Sequence, residues 1–338
     1  MTDKPVRTRV RLPEISSRAW EHPTDRGALV ALRRLKGFDT VLRKVSGLMS
    51  ERSLRLVFLG NAVRADERQF RRVHQLLADV AATLDMSEVP EVFVAADPRA
   101  NAICIGMDQP FLVVNSGLLD MCDDEELRFV LGHELGHALS GHSVYRTLLL
   151  VLIRLTQGLS AIPLAGLPLR AIVAALTEWS RKSELSSDRA GLLAGQDPAA
   201  ALRVHMKLAS GGHLEDVDAS AFLDQAAEYE AVSGSLRDSF LKFLLLMNRA
   251  HPFAVMRAGE LRRWVDSGAY ARVLAGDYPR RSEDDAASVS EEAKAAARSY
   301  QDAFETSQDP LTKLVADIGG TVDSVRDWVT RRAGGTKR

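Results

Sequence analysis

The stretch DEELRFVLGHELGHALSGH, residues 124–142, decides how this chain is read. It predicts an amphipathic helix that starts after Asp123 as N-cap, with Glu126 three positions on completing a capping box and an acidic first turn suited to the positive end of the helix dipole. Within it His133 and His137 stand four residues apart. That spacing advances about 400° around an α-helix, so both imidazoles leave one face a turn apart, close enough to share an ion. Glu134 follows the first histidine and points sideways, where its carboxylate can reach a water on that ion without binding the ion itself. The arrangement suits metal-assisted hydrolysis: zinc lowers the pKa of its water toward about 7, and one carboxylate takes the proton and later delivers it to a leaving amine.

Two imidazoles need a third protein ligand, and the sequence offers two routes. A third histidine six residues after His137 would fall on position 143, which is Ser143; His142 is one residue short and is expected either behind the ligands or at the surface. The other route is a carboxylate from a later helix. The segment LTEWSRKSELSSDRAGLLAG (176–195) carries Glu184, with Asp188 one turn on along the same face. Glu184 can ligate while Asp188 accepts the second ring N–H of a metal histidine, His133 being the expected partner. Without the histidine motif the two carboxylates would read as a solvated pair on a surface helix.

The rest of the chain sets the frame. Its 338 residues, 46% of them apolar, can bury a substantial core, as one large domain or two small ones. Lys plus Arg (44) nearly cancels Asp plus Glu (45), so the positive field of a nucleic-acid binder is missing and nucleic acid is not expected as a partner. Cys104 and Cys122 match neither a zinc knuckle nor a disulfide framework and are expected as unpaired core thiols in a reducing compartment. The Arg-rich start, MTDKPVRTRVRLPEISSRAW, does not read as a secretory signal, and a cytoplasmic location is expected.

Residues 67–84 place Phe70, Val73, Leu76, Leu77, Val80 and Leu84 at helical spacing, with His74 as a packed or boundary histidine. The runs 91–96, 101–106 and 110–115 predict a small antiparallel sheet whose last two strands form a hairpin. The fold class is therefore mainly helical α+β, with an edge strand near 101–106 or 110–115 beside the metal helix, where an extended peptide can pair. The apolar stretch 147–176 is interrupted by Arg154, Arg170, two glycines and two prolines, and reads as two buried helices with a bend, a membrane-lying hairpin being the competitor. Composition divides the chain into an N-terminal arm and helix (1–50), a main domain (51–277) and an acidic linker with a helical tail (278–338) whose last helix spans 311–332. His22, His205 and His213 have no ligand spacing and are expected in structural or surface roles.

LGHELGHALSGH, then SELSSDRAG (183–191), then HPFAVMR (251–257), preceded by PRANAICIGMDQPFLVVNSGLLD (98–120), together resemble the HtpX and CAAX prenyl endopeptidase family of gluzincin metallopeptidases. The likeness runs from about residue 65 to residue 260, with four separated motifs in the family's order. It implies an α+β gluzincin core holding one zinc ion through His133, His137 and Glu184, with Glu134 as base and Asp188 behind the ligands. It also implies that His251 stabilises the oxyanion, that Arg257 braces the site, and that Asn101 and Ala102 lie beside the substrate. Many members carry transmembrane helices, whereas this chain has only the broken stretch 147–176, so the expected substrate is a peptide or unfolded protein. A metal-stabilised interaction protein without activity and a peptidase resting on a membrane through 147–176 stay open as alternatives; nothing in the sequence fixes the oligomeric state.

Overall fold

The computed structural model describes residues 8–33, 51–158, 167–232 and 253–286. Expectations placed on His251 and on the helix 311–332 lie outside the described residues, as does the interval 159–166. In chain order the elements are α1 (Pro23–Arg33), α2 (Glu51–Asn61), β1 (Ala62–Ala65), α3 (Arg71–Thr83), β2 (Val92–Ala95), β3 (Ala102–Ile105), β4 (Phe111–Asn115), α4 (Ser116–Met121), α5 (Asp124–Leu139), α6 (His142–Gly158), α7 (Leu167–Gly195), α8 (Pro198–Ser210), α9 (Ala219–Val232), α10 (Ala254–Asp266) and α11 (Ala269–Leu274). The class is the mainly helical α+β one.

Helix α5 starts where its cap chemistry dictates. Asp123 accepts from the Glu126 backbone N–H at 2.9 Å while Glu126 accepts from the Asp123 N–H at 2.9 Å, so two otherwise orphaned donors are satisfied reciprocally. Its end falls earlier than the sequence reading had it: Gly141 takes a left-handed φ of 68°, and His142 begins the next helix. A glycine in that conformation is a helix stop. Helix α3 likewise begins at Arg71, not 67. Asp66 Oδ1 accepts from the backbone N–H of Arg68 (2.7 Å) and Gln69 (3.0 Å), a local turn that competes with helix. Phe70 then sits at φ 45° and is 43% exposed, so it is not part of the buried face.

The sheet has four strands in the order β1-β2-β4-β3 and is mixed, where the sequence suggested antiparallel pairing throughout. β1–β2 and β3–β4 are antiparallel; β2–β4 is parallel. The chain leaves β2, runs down β3 at the edge, and returns along β4 between them. The reason is burial: every residue of Phe111–Asn115 is buried, as a strand covered on both faces requires, while β3 is not buried throughout. Val92, Cys104, Leu112 and Val114 join the main core, and Phe93, Ile105, Phe111 and Val113 turn the other way against Leu54 and Phe58 of α2. β1 and β3 are thus the edge strands, and β3 is the one next to α5.

Helices α5 and α7 meet through glycines. A Cβ on Gly136 would lie 2.5 Å from the Ala190 Cβ, and one on Gly191 would lie 2.6 Å from the Phe129 carbonyl oxygen. This closeness carries the helix with His133 and His137 onto the helix that bears Glu184. In a free helix Gly→Ala gains about 1 kcal/mol. At Gly191 a backbone oxygen blocks the methyl, and overpacking of this kind costs about 1–3 kcal/mol. Gly191→Ala is therefore expected to lower the urea midpoint of unfolding; a raised midpoint would contradict the close packing.

The N-terminal segment belongs to this body. Leu12, Ile15 and Trp20 enter the main core, and Arg281 of the segment 281–286 donates its backbone N–H to Glu14 at 2.8 Å. Ala28 and Leu32 of α1 pack on Leu148, Leu152, Ile172, Leu176 and Trp179. Of these, Leu148, Leu152, Ile172 and Leu176 come from the apolar stretch and are buried. Among the described residues no helix is long and apolar enough to cross a membrane. Cys104 and Cys122 are free and buried, and burial pushes the Cys122 thiol up to about 12.

Candidate metal centre

His133 and His137 leave the same face of α5, with ring centroids 4.8 Å apart and their Nε2 atoms at 3.2 Å. Glu184 comes across from α7: its Oε2 lies 3.5 Å from His133 Nε2 and its Oε1 lies 3.4 Å from His137 Nε2. All three residues are buried, and one donor atom from each falls within 4.8 Å of the others. Two imidazole nitrogens with a carboxylate are a donor set suited to a divalent transition metal with an open coordination position. The gap also attracts a side-chain cation: Arg146 of α6 donates from Nη1 to Glu184 Oε1 at 2.6 Å and reaches His137 Nε2.

The surroundings orient these groups. Asp188, one turn after Glu184, lies 2.9 Å from His133 Nδ1, so that ring's remaining nitrogen, Nε2, is the one turned to the gap. Arg257 of α10 donates to Asp188 Oδ2 (2.7 Å) and Oδ1 (2.5 Å) and pairs with Glu184 Oε2 at 3.0 Å. Burial would raise the Asp188 carboxyl, but Arg257, His205 and His133 outweigh it and hold the pKa well below the usual range. Burial would likewise lower His133, yet the hydrogen bonds and charges of Asp188 and Glu184 keep it up at about 9. His137 moves the other way, well below its ordinary value, through burial and the Arg146 charge.

Glu134 is buried beside the pair. Its Oε2 accepts from the backbone N–H of Cys104 in β3 at 2.7 Å, which ties the carboxylate to the edge strand. Its Oε1 has no hydrogen-bond partner and lies 3.9 Å from His133 Nε2. A cleft lies there, lined by Asn101, Ala102, Phe129, His133, Glu134 and Arg257 among others. The Oδ1 of Asn101 is a second buried acceptor without a partner. The structure thus brings together His133, Glu134, His137, Glu184, Asp188, Arg257, Asn101 and Ala102; His251 lies outside the described residues.

Two features, Arg146 and the place of His205, were not legible in the sequence, and a third, His142, only as one of two alternatives. Arg146 had no motif. His142, which the sequence left between surface and site, is 2% exposed at the head of α6, and the glycine stop before it was the missed signal. His205, buried behind the cleft with its Nε2 3.8 Å from Asp188 Oδ2, is lowered to about 4, burial being the main cause.

A pair of helices joined through glycines, carrying HExxH on one and Glu184 within reach of both histidines on the other, with an edge strand at the cleft, has the make-up of a metallopeptidase. The family model for peptidase family M48 matches residues 67–265, and the chain belongs to that family. It is 32% identical over 288 residues to the plastoglobule-localized metallopeptidase 48, chloroplastic, of Arabidopsis thaliana, an alignment covering 80% of this chain and 83% of that one. The mitochondrial metalloendopeptidase OMA1 of Arabidopsis thaliana is 34% identical over 130 residues (36% of this chain, 26% of the relative). A protease HtpX homolog of Caldanaerobacter subterraneus is 36% identical over 78 residues (22% and 26%). No solved structure matches the chain. The resemblance carried by the four motifs is thus a relationship within this family.

Proposed function

We propose that the protein is a zinc-dependent endopeptidase that holds one ion through His133, His137 and Glu184 and uses Glu134 as general base and then general acid. The observation that carries this reading is the convergence of the three buried donors within 4.8 Å of one another. Zinc held there would lower the pKa of a coordinated water to about 7 and polarise the scissile carbonyl. Glu134 Oε1, unpaired and beside His133, would take a proton from the attacking water and pass it to the amine that leaves when the C–N bond breaks. The Cys104 N–H on Oε2 keeps that carboxylate aimed. Asp188 and Arg257 hold the His133 tautomer and the Glu184 orientation, and His251 is proposed as the oxyanion donor.

An extended peptide pairing with the outer edge of β3, past Asn101 and Ala102, would bring its carbonyl to Glu134 through main-chain contacts that are indifferent to sequence. Purified protein loaded with zinc is expected to digest unfolded casein, and a chelator is expected to stop it. Zinc-loaded protein that leaves casein intact under varied conditions would favour an interaction protein without activity. A second reading, lipid-surface contact of the same enzyme through 147–176, is favoured by the plastoglobule localisation in the name of the Arabidopsis relative. Recovery of all the protein in the supernatant after fractionation and a salt wash would count against it.

A further inference from the structure

Asp25 sits in the first turn of α1, upstream of the residues 67–265 that match the family, and is 1% exposed. Its carboxylate faces three donors: His142 Nε2 at 3.0 Å, Trp179 Nε1 at 3.0 Å and Ser186 Oγ at 2.6 Å. Ser186 Oγ in turn accepts the backbone N–H of His22 at 2.9 Å, so two points of the N-terminal segment are fastened to α7 at the residue midway between Glu184 and Asp188. A buried carboxylate would ordinarily gather such donors only to avoid a desolvated charge. Here one donor leads onward to the metal centre.

His142 gives its Nε2–H to Asp25, which leaves the lone pair of the neutral ring on Nδ1. That atom lies 3.2 Å from Nδ1 of His137. The hydrogen between them then belongs to His137, and the lone pair of His137 is left on Nε2, the atom 3.4 Å from Glu184 Oε1. The His142 ring is held edge-on between Trp179 (centroids 5.5 Å) and His137 (5.4 Å), which restricts its rotation. His133 receives the same service directly from Asp188.

We propose that Asp25 and His142 form a relay that fixes the tautomer and orientation of the metal-binding His137, so that the N-terminal segment is part of the metal centre. This rests on the reading of His133, His137 and Glu184 as the ligand set. The two are positioning residues, since they reach the ion only through His137. Partners behind a ligand are worth about 10–100-fold in metal affinity.

Zinc affinity of the full chain, measured by competition with a chromophoric chelator, is expected to weaken about 10–100-fold in Asp25→Asn. His142→Gln is expected to weaken it by a similar factor, and the double variant no further, because the two act in series. Leu32→Ala removes a core residue of the same helix whose side chain makes no hydrogen bond to Asp25 or His142; it should lower the unfolding midpoint and keep the parent's affinity. If Asp25→Asn does not fold, His142→Gln decides. Parent-like affinity in the folded relay variants would overturn the relay alone, as would an equal loss in Leu32→Ala. Imidazole ¹⁵N shifts showing His142 protonated on both nitrogens would also overturn it. A parent that takes up no zinc would overturn the ligand-set reading and the relay with it.

Discussion

Glu134→Gln is expected to lower the rate of casein cleavage by about 10²–10⁴-fold while the zinc content of the purified protein stays that of the parent. The two halves of the result follow from different atoms. The Oε2 position accepts the Cys104 N–H at 2.7 Å, and a glutamine can keep that bond, so the variant retains the geometry of the cleft. The donors that converge are His133, His137 and Glu184, and Glu134 is not among them. What glutamine cannot do is accept a proton from water and return it to an amine. Elemental analysis alongside initial rates checks both halves: full activity would remove Glu134 from the mechanism, and lost zinc would make it a ligand.

Glu184→Ala is expected to do two kinds of damage. It removes the third donor, so zinc should be absent from the purified variant; undiminished zinc would point to a different third ligand. It also strips the carboxylate that pairs with Arg146 at 2.6 Å and Arg257 at 3.0 Å, both of them buried. Breaking a buried pair from one side costs about 3–5 kcal/mol because the remaining charge is left desolvated. Arg257 keeps Asp188, so Arg146 carries more of this loss. Urea unfolding of parent and variant, both in chelator, isolates this term from metal binding, and the variant should unfold at markedly lower urea. Coincident curves would mean that water already reaches the two arginines.

Much of the centre could be read without coordinates because it is local. His133, Glu134 and His137 share one turn of one helix, and Glu184 and Asp188 share one turn of another; helical periodicity alone sets each group's mutual positions. The cap at Asp123 and Glu126 is equally local. Where local signals competed, the reading slipped: Gly141 ends α5 before His142, and the Asp66 turn delays α3 until after Phe70. The strand runs were legible, but their order was not. Which strand lies beside β2 depends on how much of each face is covered, and the unbroken apolar run of Phe111–Val114 was the sign that β4 takes the middle.

What the sequence determined by itself, then, is the chemistry: which side chains could meet a metal, and on which faces of which helices they stand, since these follow from spacing within single elements. What only the tertiary structure decided is how elements far apart in the chain meet. The glycine contacts that press α5 onto α7, the parallel β2–β4 pairing that leaves β3 at the edge, and the approach of Asp25 and Arg146 to the histidines belong to this second kind. The physical reason is that long-range packing is selected by the burial of whole faces and the matching of buried charges, quantities that no single segment carries.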